Sequence, residues 1–402
     1  MPSPNLTCDF VVVGAGIVGL ATAAELRRRY PDCRVVVAET ERRVAEHQSG
    51  HNSGVLHSGL YYRPGSQRAL TCRRGKTLME TFCDQMKIPW ERCGKVVVAT
   101  DAGELEALQR ISERAEANGV DFRRINSDEL RELEPRANGI AALHVPETGI
   151  VDYAVVCRKL AERIDQDHGN LRLNSKVVAI DHLGASIDVR LVDGQRLSAR
   201  HLVNCAGLQS DRVARLAGLQ TKVRIVPFRG EYYELAKGKE HLVHNLIYPV
   251  PDPAFPFLGV HFTRMINGGV ECGPNAVLAF SRKGYDWTTF SPRDLMETFA
   301  FKGFRKLARR HWKTGIGEMN RSLRKSAFVT ALQKLMPSLS ADDLVPGRAG
   351  VRAQAVSQDG DLIDDFLIEH GPSSTHVLNA PSPAATASLA IAETIVESIR
   401  LK

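Results

Sequence analysis

Short apolar runs and helical periodicity alternate at the start of this chain in the order strand, helix, strand. An apolar run that begins at Phe10 predicts a buried strand, a helical pattern follows Gly19, and the run 34–39 predicts a second strand. Residues 8–40 therefore predict a β-α-β unit, which is the building block of doubly wound sheets.

Later segments predict that the chain leaves this sheet and returns to it. The run 201–207 predicts another buried strand of the first sheet, whereas strand and turn signals over 224–280 predict an antiparallel sheet. We therefore expect an α/β fold (α+β, two domains), in which a Rossmann-like domain binds a nucleotide and a discontinuous substrate domain is built on an antiparallel sheet. The predicted boundaries are 1–75, 146–221 and 346–402 for the first domain, and 76–145 and 222–345 for the second.

The turn after the first strand has the glycine spacing of a dinucleotide-binding motif. Gly14 permits a tight turn, Gly16 lets the backbone approach a pyrophosphate, and Gly19 lets the helix pack closely on the strand. Glu39 ends the second strand, where a carboxylate suits a ribose hydroxyl and disfavours the 2′-phosphate of NADP. One such motif at the beginning of a chain favours FAD over NAD as the bound cofactor.

The composition is that of a globular protein with a positive net charge. Of the 402 residues, 43% are hydrophobic and 25% are charged, the net charge is +7, and no apolar run is long enough to span a membrane. Cations and aromatic residues alternate over 301–313 as in an amphipathic helix. This pattern suits contact with an anionic membrane surface, and it equally suits a solvated helix packed on the core. No nucleic-acid-binding motif accompanies the charge, so we expect no nucleic-acid partner.

Cysteine usage and the position of the first strand predict the cellular compartment. Eight cysteines are scattered without metal-ligand spacing, so we expect reduced thiols and no metal site. The first strand begins too early for a signal or transit peptide to precede it. We expect a cytoplasmic protein, and the basic segment leaves open a peripheral position at the inner face of the cell membrane.

Two further segments are suited to hold a flat cofactor ring. The loop 49–59 contains three glycines, three serines and two histidines, and it follows the predicted ribose-binding acid. The stretch 379–390 leads from a strand into a helix that begins with small residues. The free amides and the dipole of that helix can face an anion such as the N1–C2=O edge of a reduced flavin.

The chain resembles the L-2-hydroxyglutarate oxidase/dehydrogenase family of the glycine oxidase/D-amino-acid oxidase class in the motifs GAGIVGL, SGHNSGVLHSGLYYRPGS, VPFRGEYY, AGVRAQ and LNAPSPAATASLAI. The resemblance covers nearly the whole chain. It implies that the Rossmann-like domain binds FAD and that the protein oxidises (S)-2-hydroxyglutarate, a small dicarboxylate hydroxy acid, to 2-oxoglutarate. Because the cysteines match no pattern of covalent attachment, we expect noncovalent FAD.

The resemblance also implies which residues contact the cofactor. They belong to the glycine motif with its acid, the loop against the isoalloxazine ring, the backbone beside the adenine, the strand that returns to the first sheet, and the start of the last helix. These residues are Gly14, Gly16, Gly19, Glu39, Ser49, His51, Asn52, Ser53, Gly54, Val177, Ala206, Gly207, Ser382, Ala384 and Ala385.

The chemistry of a dicarboxylate hydroxy acid sets the remaining requirements. Each carboxylate needs a fixed cation, for which Arg229 and Arg352 are the leading candidates, and Tyr248 is a candidate hydroxyl donor. The C2 hydrogen leaves as hydride to flavin N5 while a base accepts the hydroxyl proton. A neutral imidazole suits that base at neutral pH, and His57 and His261 rank equally for the role.

Two other functions are compatible with the same motifs. One is an FAD-dependent amino-acid or amine oxidase of the glycine oxidase type, and the other is a flavin-binding protein without small-molecule turnover. The electron acceptor is open among oxygen, a membrane quinone of a respiratory chain and an electron-transfer flavoprotein. The oligomeric state is also open.

Overall fold

A computed structural model describes residues 6–166, 170–184, 186–251 and 259–400. Within these ranges the α-helices are α1 (Ile17–Arg29), α2 (Gln67–Gln85), α3 (Leu105–Ala117), α4 (Ser127–Leu133), α5 (Tyr153–Gln166), α6 (Ser210–Leu216), α7 (Pro292–Ala300), α8 (Lys302–Arg310), α9 (Trp312–Leu323), α10 (Lys325–Gln333) and α11 (Ala384–Ser398). The strands are β1 (Leu6–Val13), β2 (Val35–Ala38), β3 (Val55–Leu56), β4 (Trp90–Glu91), β5 (Lys95–Ala99), β6 (Arg123–Asn126), β7 (Ala141–Val145), β8 (Gly149–Val151), β9 (Asn170–Arg172), β10 (Val177–Leu183), β11 (Ser186–Leu191), β12 (Arg196–Asn204), β13 (Val223–Leu235), β14 (Leu246–Pro249), β15 (His261–Arg264), β16 (Val270–Gly273), β17 (Val277–Leu278), β18 (Leu344–Ser357), β19 (Leu367–Gly371) and β20 (Ser374–Asn379).

The first sheet has β1 at its centre and confirms the β-α-β unit predicted near the start of the chain. Strand β1 pairs in parallel with β2 on one side and with β12 on the other, so that Val13 lies opposite both Ala38 and Asn204. The strand order is β10-β11-β12-β1-β2-β9, and β20 pairs with both β12 and β19. The carboxyl ends of β1, β2 and β12 therefore meet at one edge, where open parallel sheets bind ligands.

Both faces of the first sheet are covered, as its continuous apolar strands require. Alternate residues of β1 point to opposite faces. Phe10 and Val12 pack into a core with α1, α2, α5 and α11, whereas Val11 and Val13 pack into a second core with β10, β11 and α6. Burial on both sides holds β1 rigidly behind the glycine turn that follows it.

The second sheet has the strand order β17-β13-β16-β15-β14-β5-β7-β6, and β18 pairs along β13. Its neighbouring strands are antiparallel except for β5 and β14, which run parallel with Val97 opposite Tyr248. Helix α10 covers it, because Phe328 and Leu332 pack with Phe262 of β15. The predicted fold class is therefore confirmed, with one parallel pair inside the expected antiparallel sheet.

Two of the predicted domain boundaries fall inside elements of the structure. Residue 75 lies within α2, which packs on α11 of the first layer. Residue 346 lies within β18, which pairs with β13 of the second sheet from Val223↔Ser357 to Leu235↔Leu344. The division into two domains stays a prediction, and these two elements are where its limits need testing.

The prediction of one amphipathic helix over 301–313 is wrong. Helix α8 ends at Arg310 and α9 begins at Trp312, because His311 has non-helical backbone angles (φ −117°, ψ 23°). The apolar face of α8 is also used by the core, where Phe304 and Leu307 pack with β13 and β18. In the described part of the chain, no helix combines the length and the apolarity that crossing a membrane requires.

We expect Gly75→Ala to destabilise the protein, although alanine is the better helix former. A Cβ at residue 75 of α2 would lie 2.5 Å from the Cα of Ala387 in α11. Because that neighbour is backbone, the two helices must separate, and overpacking of this kind costs about 1–3 kcal/mol. The free energy of unfolding from urea titration measures the effect.

Gly315→Ala in the exposed helix α9 is the matched control, because a Cβ there meets nothing within 4 Å. It should raise the free energy of unfolding by about 0.5–1 kcal/mol through helix propensity alone. Stabilisation by both substitutions would contradict the close contact between α2 and α11.

Candidate active site

A cavity of about 1670 Å³ lies where the carboxyl edge of the first sheet faces the second sheet. This volume exceeds the roughly 300–1,000 Å³ of ordinary small-ligand sites, so a large cofactor and a small substrate fit together. Its lining includes most of the predicted cofactor residues: Gly14, Gly16, Glu39, Ser49, His51, Asn52, Ser53, Val177, Ala206, Gly207, Ser382, Ala384 and Ala385. Gly19 and Gly54 stand behind the described lining and shape it through the backbone.

The glycine turn gives an anion access to the start of α1. Gly14 has φ +104°, and a Cβ there would lie 2.6 Å from the carbonyl oxygen of Cys205. A Cβ at Gly19 would lie only 2.0 Å from the carbonyl oxygen of Gly14, so only glycine lets α1 begin this close to β1. The N-cap Gly16 has no side chain and the first turn has no acidic residue. The helix dipole therefore faces the cavity uncompensated, as pyrophosphate binding requires.

Glu39 is held rigidly at the end of β2. One carboxylate oxygen accepts a hydrogen bond from the Ala15 amide (2.6 Å) and the other accepts one from the Glu41 amide (2.8 Å). Each oxygen keeps a further lone pair, and the residue lines the cavity. The carboxylate is thus oriented to accept hydrogen bonds from a diol such as a ribose.

The loop predicted to contact the isoalloxazine ring is braced by its own polar groups. The Asn52 side-chain amide donates to the carbonyl oxygens of Gln48 (3.1 Å) and Ser49 (2.8 Å), and its oxygen accepts from the Gly54 amide (2.9 Å). Gly54 has φ +68°, and a Cβ there would lie 2.6 Å from the Val151 carbonyl oxygen. Asn52 and Gly54 therefore set the path of the loop.

Other residues of this loop join it to its neighbours. The Ser49 hydroxyl accepts a hydrogen bond from the Ile17 amide at the start of α1 (2.9 Å). The Nδ1 of His51 lies 3.1 Å from the Ala349 carbonyl oxygen, and its ring centroid is 4.3 Å from that of Tyr285. Burial lowers the pKa of His51, which keeps this imidazole neutral. The loop is thus tied to both sheets at the cavity.

The two remaining predicted segments also reach the cavity. Val177 opens β10, and Ala206 and Gly207 form the turn after β12. Burial raises the pKa of the neighbouring Cys205 thiol to about 12, so it stays protonated, which disfavours covalent attachment to a flavin.

Helix α11 begins at Ala384, whose amide already donates to the Pro381 carbonyl oxygen (2.9 Å). This leaves the amides of Ala385 and Thr386 as candidate donors in this turn. The Ser382 hydroxyl lies 3.4 Å from Nε2 of His57. The last helix therefore meets the histidine region at the cavity.

The two candidate bases both line the cavity, but their ring nitrogens differ. Nδ1 of His261 lies 2.8 Å from the Gly259 carbonyl oxygen, which can only accept, so Nδ1 carries the proton and Nε2 keeps its lone pair. The partner of His57 is the Ser382 hydroxyl, which can donate or accept, so the tautomer of His57 is not determined. The geometry thus favours His261 over His57 as a base.

The pKa values of both histidines are low for the same physical reasons. Burial, reinforced by the positive charges of Lys95 and Arg68, lowers the pKa of His57 to about 3. Burial, together with Arg352 and Lys95, lowers that of His261 to about 3. Both imidazoles are therefore neutral at physiological pH, and the charges around them are positive.

The structure separates the predicted substrate residues. Tyr248 lines the cavity and packs against His261, with ring centroids 3.9 Å apart and ring planes tilted by 31°. Arg352 lines the cavity from β18 and interacts with the Tyr232 hydroxyl. Arg229 stands behind the described lining: it donates to the Asp286 carbonyl oxygen (2.6 Å), pairs with Glu231 (3.0 Å) and lies 4.0 Å from the ring centroid of Trp287.

Through these contacts the Arg229 side chain links β13 to the segment that contains Trp287. The prediction that Arg229 binds substrate is therefore not supported by its position, because a side chain buried in such contacts has no route to the cavity.

Several residues that surround the histidines were not predicted from the sequence. Tyr61, Tyr62 and Arg68 line the cavity, and Lys95 lies behind Tyr61 and Tyr248. A signal was present for Lys95, since it begins the apolar run KVVVA of β5, where a charge is costly. Nothing in the sequence pattern indicated that β5 comes close to the loop 49–59.

The family model described as FAD dependent oxidoreductase matches residues 9–398. Among solved structures, the chain is similar to L-alpha-glycerophosphate oxidase from Mycoplasma pneumoniae with FAD bound, with a TM-score of 0.80 at 22% identity over 97% of this chain and 94% of the other. It is also similar to glycine oxidase from Geobacillus kaustophilus, with a TM-score of 0.72 at 17% identity over 98% and 94% of the two chains. At these identities the likeness concerns the fold.

Relatives at higher identity are named L-2-hydroxyglutarate dehydrogenase. One from Indibacter alkaliphilus is 49% identical over 96% of this chain and 97% of its own, and one from Escherichia coli strain K12 is 45% identical over 98% and 93%. A mitochondrial relative from Caenorhabditis elegans is 46% identical over 96% and 92%.

The glycine cradle at Gly14, the glycine N-cap of α1 at Gly16 and the fixed carboxylate of Glu39 fit the FAD of this class. This fit, the family model and the full-length identity lead to one conclusion. The chain belongs to the L-2-hydroxyglutarate dehydrogenase family of FAD-dependent oxidoreductases.

Proposed function

We propose that this protein oxidises (S)-2-hydroxyglutarate to 2-oxoglutarate with a bound, noncovalent FAD. The observation that carries the proposal is a neutral histidine, His261, with a free Nε2 lone pair beside positive charges in a cavity that continues from a dinucleotide cleft. A hydroxy-dicarboxylate needs this combination, because it presents two negative charges and one hydroxyl proton. The names of the relatives at 42–49% identity supply the substrate.

The cofactor and the protein divide the chemistry between them. FAD, held by the glycine turn, Glu39 and the loop 49–54, supplies the acceptor for the hydride from C2 of the substrate. Nε2 of His261 accepts the proton of the C2 hydroxyl, and the C–O bond becomes the carbonyl of 2-oxoglutarate. One proton and one hydride leave the substrate, which balances the two-electron oxidation.

Arg352 and Tyr248 orient the substrate for this step. The Ala353 amide donates to the Gln48 side chain (2.9 Å), which holds this part of β18 beside the flavin loop and supports Arg352 as the partner of the C1 carboxylate. Tyr248 packs against His261 and restrains the imidazole. The two negative charges of the bound substrate offset the nearby positive charges. The pKa of His261 therefore rises when the substrate is bound, which is when the base is needed.

For the oxidative half-reaction we propose a membrane quinone as the electron acceptor. Helices α7 and α9 expose Met296, Phe299, Trp312 and Ile316, each more than half exposed. The cations between and beside these side chains suit anionic lipid headgroups. Arg305, Arg309 and Lys313 are exposed and form no ion pair with any described residue.

Anaerobic addition of (S)-2-hydroxyglutarate should bleach the visible absorbance of the bound flavin, whereas the (R)-enantiomer should not, because hydride and proton acceptors occupy fixed positions. Stopped-flow absorbance measures the rate. Acid precipitation of the same sample should leave the flavin in the supernatant. Bleaching by glycine or sarcosine instead would favour an amine oxidase, and no bleaching by any small acid would favour a flavin-binding protein without turnover.

His261→Ala should lower the rate of flavin reduction about 10²–10⁴-fold with the flavin content unchanged, because the hydroxyl proton loses its acceptor. His57→Ala should have the smaller effect, because we assign the proton acceptor to His261, whose Nε2 keeps its lone pair. His241→Ala, at an exposed histidine, is the control. Wild-type reduction by His261→Ala would remove this residue from the mechanism.

The pH dependence gives an independent check on the same histidine. Because its pKa is lowered to about 3, the free enzyme holds a neutral imidazole at all pH values above that. The kcat/KM for reduction should therefore show no loss with a pKa near 6.5 as the pH falls from 8 to 5.5. A loss centred near 6.5 would contradict the buried environment of the base.

The protein should sediment with phosphatidylglycerol vesicles at low ionic strength and be released by high salt, because exposed charges are screened within about 10 Å at 0.1 M salt. The double substitution Trp312→Ala and Ile316→Ala should weaken binding. Leu183→Ala, at a similarly exposed side chain in the first sheet, should not. No sedimentation at low ionic strength would contradict the proposed membrane contact.

A further inference from the structure

Lys95 is a buried cation at the substrate end of the cavity. It begins β5 with only 1% of the residue exposed. Its Nζ lies 4.8 Å from the ring centroids of both Tyr61 and Tyr248, which line the cavity. The ammonium is therefore held directly behind the two aromatic rings of the cavity wall.

Lys95 has no counter-charge in the described part of the chain: no carboxylate forms an ion pair with it and no hydrogen bond from its ammonium is formed. Buried Lys76 shows the usual arrangement, since its Nζ lies 2.6 Å from Glu80 and 3.5 Å from Glu147. Burying an unpaired ion costs stability, and an apolar side chain of similar length would avoid that cost. Such a cost is tolerated where the charge serves function.

The surroundings of Lys95 indicate what its charge meets. The positive charge acts on both His57 and His261. The hydroxyl of Tyr61 is buried and has no hydrogen-bond partner among the described residues. Burial lowers the pKa of Lys95 only to about 8, so the ammonium remains mostly charged at neutral pH. The cavity wall at Tyr61 thus combines a hydroxyl without a described partner and a cation 4.8 Å from the same ring.

The positions of Arg352 and Lys95 indicate which carboxylate of the substrate each cation would face. Arg352 lies in β18 beside the flavin loop, where a Cβ on Gly350 would be 2.7 Å from the His51 carbonyl oxygen. The C1 carboxylate is next to the reacting carbon and must stay near that loop. Lys95 lies in β5 of the second sheet, where its Nζ contacts the Tyr61 and Tyr248 rings and its charge acts on both histidines. This leaves Lys95 as the cation for the other carboxylate.

We propose that Lys95 is the positioning residue for the C5 carboxylate of the substrate: its ammonium supplies the counter-charge and the Tyr61 hydroxyl donates the hydrogen bond. The Lys95 proposal rests on the proposed function and adds the basis for substrate specificity. The pair selects a dianion over a hydroxy acid that ends in a methyl group. Lys95 accordingly contributes to substrate binding and leaves the proton and hydride steps to other groups.

The test compares Lys95→Met with wild type on two substrates. For (S)-2-hydroxyglutarate, KM should rise about 10- to 100-fold, as expected for losing a charged partner, while kcat changes less than about threefold. For (S)-2-hydroxypentanoate, which carries a methyl group in place of the C5 carboxylate, kcat/KM should change less than about threefold. Equal losses on both substrates, or a loss confined to kcat, would overturn the proposal.

Glutarate, a dianion without the hydroxyl, gives a readout independent of turnover. Its Kd, from the perturbation of the flavin spectrum, should rise in Lys95→Met by the same factor as KM. Thermal unfolding separates a structural role: Lys95→Met should leave Tm unchanged or higher, whereas the control Lys76→Met should lower Tm and leave KM unchanged. A lower Tm with unchanged glutarate affinity in Lys95→Met would make Lys95 structural.

Tyr61→Phe is the second variant. It tests the proposed contact with the C5 carboxylate even if Lys95→Met does not fold. It should raise KM for (S)-2-hydroxyglutarate about tenfold with kcat retained, because one hydrogen bond to a charged group is lost. Unchanged KM in Tyr61→Phe would overturn its part in the pairing. If (S)-2-hydroxyglutarate does not bleach the flavin of the wild-type enzyme, the proposed function is refuted. The glutarate Kd and the Tm values need no turnover, so they test the role of Lys95 separately.

Discussion

The close approach of α1 to β1 is the contact on which the rest of the site depends. A Cβ at Gly19 would lie 2.0 Å from the carbonyl oxygen of Gly14, so any other residue there would push the helix away from the sheet. The same turn presents the Ala15 amide to Glu39 and the Ile17 amide to Ser49. One backbone contact therefore positions the phosphate end, the ribose-binding acid and the flavin loop together.

The substrate end is governed by electrostatics in a buried environment. The positive charges of Lys95 and Arg68 lower the proton affinity of His57, and those of Arg352 and Lys95 lower that of His261. The same cations suit a substrate with two carboxylates. The two effects support each other, because a neutral base is needed before the anion arrives and a stronger base afterwards. Packing of the apolar core around β5 offsets the free-energy cost of burying Lys95 as a charged group with no ion-pair partner among the described residues.

The interleaved chain path explains how these groups come together. His57 follows the flavin loop of the first layer, Lys95 and His261 belong to β5 and β15 of the second sheet, and Arg352 lies on β18, which pairs along β13. The functional side chains around the cavity thus come from both sheets and from the loop between them. Such an arrangement makes the site depend on correct docking of both sheets, because neither layer holds a complete set of groups.

Local chemistry in the sequence determined the cofactor half of this protein. Glycine spacing, a continuous apolar strand and an acid at the end of the next strand act within a few dozen residues, so GAGIVG and Glu39 predicted the nucleotide cleft directly. The motifs also pointed to the family and to His57, His261 and Arg352, while the roles of single residues stay predictions.

Tertiary structure alone decided the substrate half, because its groups meet across strands far apart in sequence. It separated Arg229, which pairs with Glu231, from Arg352, and it gave His261 a defined tautomer through the Gly259 carbonyl. It ended the basic helix at Arg310, where His311 has non-helical backbone angles, and it packed the apolar face of that helix, with Phe304 and Leu307, on the core. It also placed Lys95 behind Tyr61 with no carboxylate of the described residues paired to it. Neither periodicity nor composition shows which carboxylates lie near a buried cation.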